Sequence, residues 1–438
     1  MGQRERNWLL GELPTWVAEG VVDAAAAERL RQRYAAHVSG RSWGMIVCGV
    51  LGALLVGAGM ILVLAHNWDG LSRPLRTAHS FAPLLTMQAL IVLGFVRGWS
   101  GTAWRETTGL LWIAAIGACM ALIGQTYHLS GDTEAFLLSW AVLALPVVWL
   151  SRAVSALAVF LGLALAWASI DKLDDGVALL FWPLAAATLP VVWAAARQNP
   201  YGQRAVLMLW CIALASTAAV GVTLEKIMPG LWMVVYAGLF ATLYLIGGYW
   251  GAEAPTFWQR PLHVIGSFGT VVLVYLLTFD WPWHEVGWHY LRDDGVFHPR
   301  AAMFDYGLVC ALFVTALVLL VTSVRRRQAR RIPFGLLPLV IAAGYLTAAA
   351  RGWDSHIPFL LCNGYLFALG IAVLAEGIRT QRAGTVNAGM LILMTLILTR
   401  FFDSDYSFIA KGVVFIILGT LFLGANLLLA RRRKEVAA

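Results

Sequence analysis

A chain of 438 residues that is 60% hydrophobic and only 13% charged is not an ordinary soluble globule, in which charged residues run near a quarter of the total. Its net charge of +8 could suit nucleic acid, but Arg431 to Lys434 close the last apolar run and Arg325 to Arg331 separate two others, the places where basic residues hold a membrane protein in register. Composition therefore points to a polytopic membrane protein, all-α, and away from nucleic-acid binding.

The first segment, Met1 to Arg41, is the only sizeable stretch that reads as water-soluble. Trp8, Leu9, Leu13, Trp16 and Val17 recur at helical spacing, Gly20 interrupts the run, and Asp23 stands at an N-cap position before AAAAERLRQRY. Two short helices joined by a tight turn are expected over residues 1–42, lying against the membrane or the end of the bundle, or docking a cytoplasmic protein partner. No cleavable signal peptide is visible, because this segment is polar and the first apolar run is too long for a signal core.

That run, Trp43 to Ala65, carries no charge over a length that crosses a bilayer core. Gly49, Ala53 and Gly57 fall on one face at four-residue spacing, which suits close packing against another helix. Further apolar runs follow at 78–96, 109–130, 135–150, 153–170, 177–196, 205–223, 230–250, 261–279, 304–324, 333–350, 357–376, 385–402 and 408–430, for about fourteen spans in a bundle over 43–430. A basic tail, 431–438, closes the chain. The least secure pair is 135–150 and 153–170, separated by only Ser151 and Arg152. All five cysteines (Cys48, Cys119, Cys211, Cys310 and Cys362) lie inside apolar runs, as small buried hydrophobes do, so no disulfide framework is expected.

With Met1 inside, most of the 32 Lys and Arg fall in inner loops and tails, whereas the outer loops carry acids such as Asp132, Glu134, Asp171 and Asp174. The positive-inside rule then expects both termini in the cytoplasm. Distinctive polar residues collect on the outer side: His66, Asn67, Trp68 and Asp69 after the first span, GQTYHLSGD (124–132) after the third, GWDSH (352–356), and RFFDSDYS (400–407) with Lys411 beyond it. Three odd-numbered spans end in an aromatic followed by Asp (Trp68-Asp69, Trp353-Asp354, Phe402-Asp403), a pattern that either an internal repeat or an aromatic belt with helix-terminating acids would produce.

The order of a segment like LPTWVAEGVVDAAAAERLRQRY, a Gly-rich span ending in AHNWD, and GQTYHLSGD resembles the bacterial membrane proteins grouped as domain of unknown function 2157. The likeness covers about the first 150 residues, and the tail FDSDYSFIAKGVVFIILGTLF with RRRK is also similar. The resemblance implies a multi-pass protein of the bacterial inner (cytoplasmic) membrane and supplies no activity.

Polar groups at membrane depth are costly unless paired, which marks His66, Asn67, Asp69, Gln125, Tyr127, His128, Asp403 and Lys411 as candidate substrate- or ion-binding residues. They are expected to converge on one outward-facing pocket. Asp69 would accept a proton or cation, His128 would titrate beside it, and Gln125 and Tyr127 would orient the ligand. The alternative for the same residues is that they hydrogen-bond each other and pin helix ends. A metal set built from His66, Asp69, His128 and His356, or from His284, His289 and His298, lacks the spacing of a zinc or HExxH site, so neither metal nor cofactor is expected. No GxSxG-type turn stands out, and the glycines of the first span lie in a membrane helix rather than after a strand. Two function classes remain, beside a membrane scaffold without substrate. One is a transporter or flippase-like protein of the cell envelope, handling an envelope precursor or small solute. The other is a polytopic envelope transferase acting on lipid-linked sugars at the outer face.

Overall fold

The computed structural model describes residues 3–35, 70–99, 101–129, 131–174, 176–224, 231–250, 254, 256–283, 299–352 and 355–402, with Val413, Ile416, Gly419, Thr420 and Gly424 singly. The chain divides into two compact units, Met1–Arg76 and Thr77–Ala438. In the first, α1 (Gln3–Ala18) and α2 (Ala24–Ala35) are joined by a turn in which Gly20 takes the left-handed φ of 72°, a conformation that costs a residue without a Cβ least. Leu13 is buried at 2% exposure. The first apolar run, 43–65, lies outside the described residues, as does most of 408–430.

The rest is helical throughout, with no strand among the described residues. In chain order the elements are α3 (Arg73–Val96), α4 (Thr102–Tyr127), α5 (Thr133–Ser151), α6 (Val154–Leu173), α7 (Phe181–Ala186) and α8 (Leu189–Gln198). They continue with α9 (Gln203–Thr223), α10 (Leu231–Trp250), α11 (Pro261–Leu277), α12 (Pro299–Arg325), α13 (Ile332–Gly335), α14 (Leu337–Arg351), α15 (Ile357–Arg379) and α16 (Ala383–Phe402). Ten helical stretches among the described residues are long and apolar enough to cross a membrane, and Pro261–Leu277 is a shorter apolar helix. The coarse expectation of a helical bundle of many apolar spans therefore holds, while the finer count of fourteen and the orientation are not decided by these helices.

Where hydropathy was ambiguous, local chemistry decides. The runs at 135–150 and 153–170 are two helices: α5 ends at Arg152, whose φ of 49° reverses the chain, and Ser151 Oγ accepts the Ala153 amide at 3.2 Å. The run at 177–196, expected as one span, is instead broken between α7 and α8. Pro190 has no N–H to give the carbonyl four residues earlier, and Thr188 closes the gap by donating its hydroxyl to Ala185 O at 2.7 Å. A similar break at Leu336, ahead of Pro338, separates α13 from α14.

Two helix pairs meet at backbone distance. A Cβ built on Gly247 of α10 would lie 2.3 Å from His263 N of α11, and one on Gly266 of α11 would lie 2.3 Å from Tyr244 N of α10. The α15 and α16 pair repeats the arrangement, Gly377 against Val386 N and Gly389 against Leu374 N, both at 2.5 Å. In lipid, apolar side chains gain little by leaving one apolar surface for another, so close van der Waals contact at small residues is what joins helices. The same physics was read from Gly49, Ala53 and Gly57, which lie outside the described residues.

Bonds between helices distant in sequence agree on the alternation of the chain. Ser155 at the start of α6 bonds Glu106 at the start of α4, and Trp182 at the start of α7 donates to Thr223 at the end of α9 at 3.2 Å. Arg331 before α13 reaches Gly248 near the end of α10, and Asn363 early in α15 donates to Thr278 just past α11. Each contact joins helix ends that strict up-and-down threading brings to the same level. Among the described residues two ends result: one holds 97–99, 101, 152, 199–202, 254, 256–260, 326–331 and 380–382, and the other holds 128, 129, 131, 132, 174, 176–180, 278–283, 352, 355 and 356.

Candidate functional site

The second of these ends carries the described members of the expected site. Gln125, Tyr127 and His128 lie on the last turn of α4 and all three are exposed. His128 takes φ 50° and caps the helix, its amide bonding Gly124 O, a conformation Asn, Asp and His tolerate better than most residues. The Tyr127 hydroxyl sits 2.9 Å from Thr77 Oγ1 on α3, tying the end of one apolar helix to the beginning of another. Position 126 points the other way: Thr126 is buried and returns its hydroxyl to Leu122 O at 2.7 Å. His66, Asn67, Asp69, Asp403 and Lys411 lie outside the described residues, so the convergence of all eight rests on the sequence.

At the same end, a cavity of about 480 Å³ opens between α6, α9 and α10, lined by Ser169, Lys172, Gly221, Leu224, Trp232 and Tyr236 among others. Its walls are mostly apolar, with two hydroxyls and one ammonium at the ends of the helices. Tyr236 donates to Thr217 O at 3.0 Å and Ser169 to Leu165 O at 2.9 Å, so both hydroxyl oxygens keep lone pairs for a ligand donor. The hydropathy runs could not place this cavity, because its lining comes from helices up to 67 residues apart, from Ser169 to Tyr236.

Acids at this end serve as caps. Asp132 accepts the Ala135 amide at 2.6 Å and starts α5. Asp171 accepts the Ala178 amide at 2.6 Å and holds the 176–180 connection, in which buried Ala178 takes φ 51°. Glu134 receives the indole N–H of Trp167 at 3.3 Å. Beside them runs a network that sequence reasoning passed over. The Thr278 carbonyl accepts from Asn363 Nδ2 at 3.0 Å and from the Arg400 guanidinium, whose carbon stands 5.3 Å over the Phe279 ring. Tyr275 and Thr399 hydroxyls lie 2.6 Å apart, and His356 Nδ1 is 3.9 Å from Asp280 Oδ1. Asp305, on α12, is 1% exposed. The signal was present: an Asn at 363 and an Asp at 305 inside apolar runs are candidates by default.

The opposite end is built from arginines. Glu106 accepts the amides of Val154 at 3.1 Å and Ser155 at 2.8 Å, lying on the positive N-terminus of α6, with Arg105, Arg152 and Arg204 in its neighbourhood. Further along, Arg330 approaches Glu376 Oε1 at 3.9 Å and Arg379 holds Glu376 Oε2 at 2.7 Å. Arg260 donates to Ala254 O; burial first, then Arg382 and Arg330 nearby, lower its pKa, with Tyr201 acting in the opposite sense. Tyr244 stacks between the His263 ring at 4.3 Å and the Phe334 ring at 4.4 Å. Among the described residues no group of three or more His, Cys, Asp or Glu gathers as a metal site would require.

A family model described as Predicted membrane protein (DUF2157) matches residues 14–157, from the middle of α1 to the start of α6, and agrees with the resemblance read from the sequence. No curated protein and no solved structure matches the chain. The family description and the many long apolar helices together make this a multi-pass membrane protein in contact with the lipid bilayer.

Proposed function

We propose that this is a transporter or flippase-like protein of the bacterial inner membrane, handling an envelope precursor or small solute through an outward-facing pocket. The observation that carries the reading is the cavity of about 480 Å³ at the end of α6, α9 and α10, on the same level as Tyr127 and His128. Apolar walls with one Lys and two hydroxyls suit an amphipathic solute bearing negative charge, since a pocket of this size holds a small molecule and a few polar groups orient it. In this reading the end lined by Asp132 and Asp171 faces outward and the arginine-rich end faces the cytoplasm, in keeping with the positive-inside rule. His66, Asn67, Asp69, Asp403 and Lys411 join Gln125, Tyr127 and His128 at the outer end, with Asp69 as the ion acceptor.

Orientation and access are tested together. In a cysteine-free background, Ser169→Cys is expected to react with a membrane-impermeant maleimide added to intact cells, and Arg382→Cys to react only after lysis. The opposite pattern would overturn the outward-facing pocket. For the transport step, Asp69→Asn and Lys172→Gln are each expected to lower activity at least tenfold while the protein stays inserted and folded. Full activity in both would remove the pocket from the mechanism.

A further inference from the structure

Arg331 is a buried arginine, at 8% exposure. It lies in the 3₁₀ turn Ala329–Arg331 and packs against the end of α10. Nη2 donates to Gly248 O at 2.5 Å, and the guanidinium carbon stands 4.0 Å over the Tyr249 ring. A Cβ on Gly248 would meet Arg331 Nε at 3.1 Å, so the side chain lies against bare α10 backbone. Nη1 is buried with no hydrogen-bond partner, and among the described residues no carboxylate comes within ion-pair distance of Arg331. A buried guanidinium is costly unless an anion answers it.

Among the described residues, the acid paired with arginines at this place is already engaged. Glu376 gives one oxygen to Arg379 and the other faces Arg330, while Arg260 stands within electrostatic reach of Arg382 and Arg330. His263, in reach of Arg260, Arg331 and Arg330, has a buried Nδ1 with no hydrogen-bond partner. Among the described residues, Arg331, Arg330, Arg260, Arg382 and Arg379 outnumber Glu376 here, and the buried Nη1 of Arg331 has no protein acceptor. Guanidiniums within electrostatic reach of one another suit a tetrahedral oxyanion with several acceptor oxygens and more than one negative charge better than a single carboxylate.

We propose that Arg331, Arg330, Arg260 and Arg382 form a binding site for a phosphate group, with the buried Nη1 of Arg331 as its innermost donor. The group comes either from the headgroup of an anionic phospholipid or from a soluble phosphate. The site lies at the opposite end of the bundle from the cavity of the proposed function and does not depend on that reading.

The test uses the full chain purified in a neutral detergent, with thermal stability followed by the loss of its monodisperse chromatographic peak. One arm adds phosphatidylglycerol to the micelles, with phosphatidylcholine as control. The other adds inorganic phosphate against chloride at equal ionic strength. A midpoint that rises with phosphatidylglycerol alone supports the site and assigns the lipid headgroup; a rise with inorganic phosphate supports it and assigns a soluble ligand. Arg331→Gln is expected to abolish the rise. Because that variant can also fail to fold, exposed Arg382→Gln is the second: it is expected to keep the wild-type midpoint without additive and to weaken apparent binding about tenfold, the worth of one charge-assisted hydrogen bond. Arg105→Gln, with the same loss of net charge elsewhere at this end, is expected to bind as wild type. No rise in either arm, or an equal loss in Arg105→Gln and Arg382→Gln, would overturn the proposal in favour of general charge attraction.

Discussion

Among the described residues, the two ends of the bundle handle their charged side chains differently. At the acidic end, Asp132 and Asp171 find backbone N–H groups within their own connections, at 2.6 Å each. At the arginine end the guanidiniums turn to carbonyls: Arg331 to Gly248, Arg260 to Ala254. A carboxylate accepts only, and the first turn of a helix offers it free donors and a favourable dipole. A guanidinium brings five donors, and one carbonyl uses one or two of them. Acids at helix ends are thus satisfied locally, whereas the buried Arg331 keeps one donor, Nη1, without a protein acceptor, which is where the proposed phosphate would bind.

The largest expected effect sharpens this contrast by dismantling one end. Gly247→Val places side-chain atoms where His263 N already lies at 2.3 Å from a bare Cβ, which forces α10 and α11 apart beneath the arginine cluster. We expect a loss of about 3 kcal/mol or more, read as failure to recover a monodisperse protein; recovery at wild-type yield would mean the glycine contact does not organise that end. Next is the acidic end. Asp171→Ala removes the acceptor that holds Ala178 in its positive-φ conformation, and about 1–3 kcal/mol should disappear from the thermal midpoint. An unchanged midpoint would show the aspartate free for ligand rather than committed to the turn. The smallest effect tests whether the arginine end's own acid behaves like those opposite. Glu106→Gln keeps one acceptor oxygen for the Val154 and Ser155 amides, turns an NH2 that cannot accept toward the other, and drops the charge on the α6 N-terminus, so a loss of about 1 kcal/mol is expected, smaller in high salt. A larger loss would assign Glu106 a principal role in neutralising Arg105, Arg152 and Arg204.

Much of the bundle was legible because hydropathy is a property of consecutive residues. A run of some twenty apolar residues cannot leave its backbone groups unpaired in lipid, so it becomes a helix. Most described runs did so, and even the doubtful pair around Ser151 and Arg152 separated where the only charge stood. The break inside 177–196 was less visible, although Pro183 and Pro190 were its cause and stood in plain sight. The site was legible only in part. Tyr127 and His128 announced themselves as polar residues closing an apolar run, but the partner of Tyr127 is Thr77, fifty residues earlier. Arg331 looked like one of a string of cytoplasmic basic residues, and only the fold buries it beneath α10 while leaving Arg382 exposed.

By itself, then, the sequence determined that the chain is helical, that it lives in a membrane and in what alternation its spans run, because those follow from local transfer free energy and backbone hydrogen bonding. Which glycines touch, where a cavity opens and which charge loses its water were decided only when helices came together. Tyr275 and Thr399 lie 124 positions apart and meet at 2.6 Å, and no period within either helix encodes that contact, since it exists only where α11 and α16 come together in the bundle.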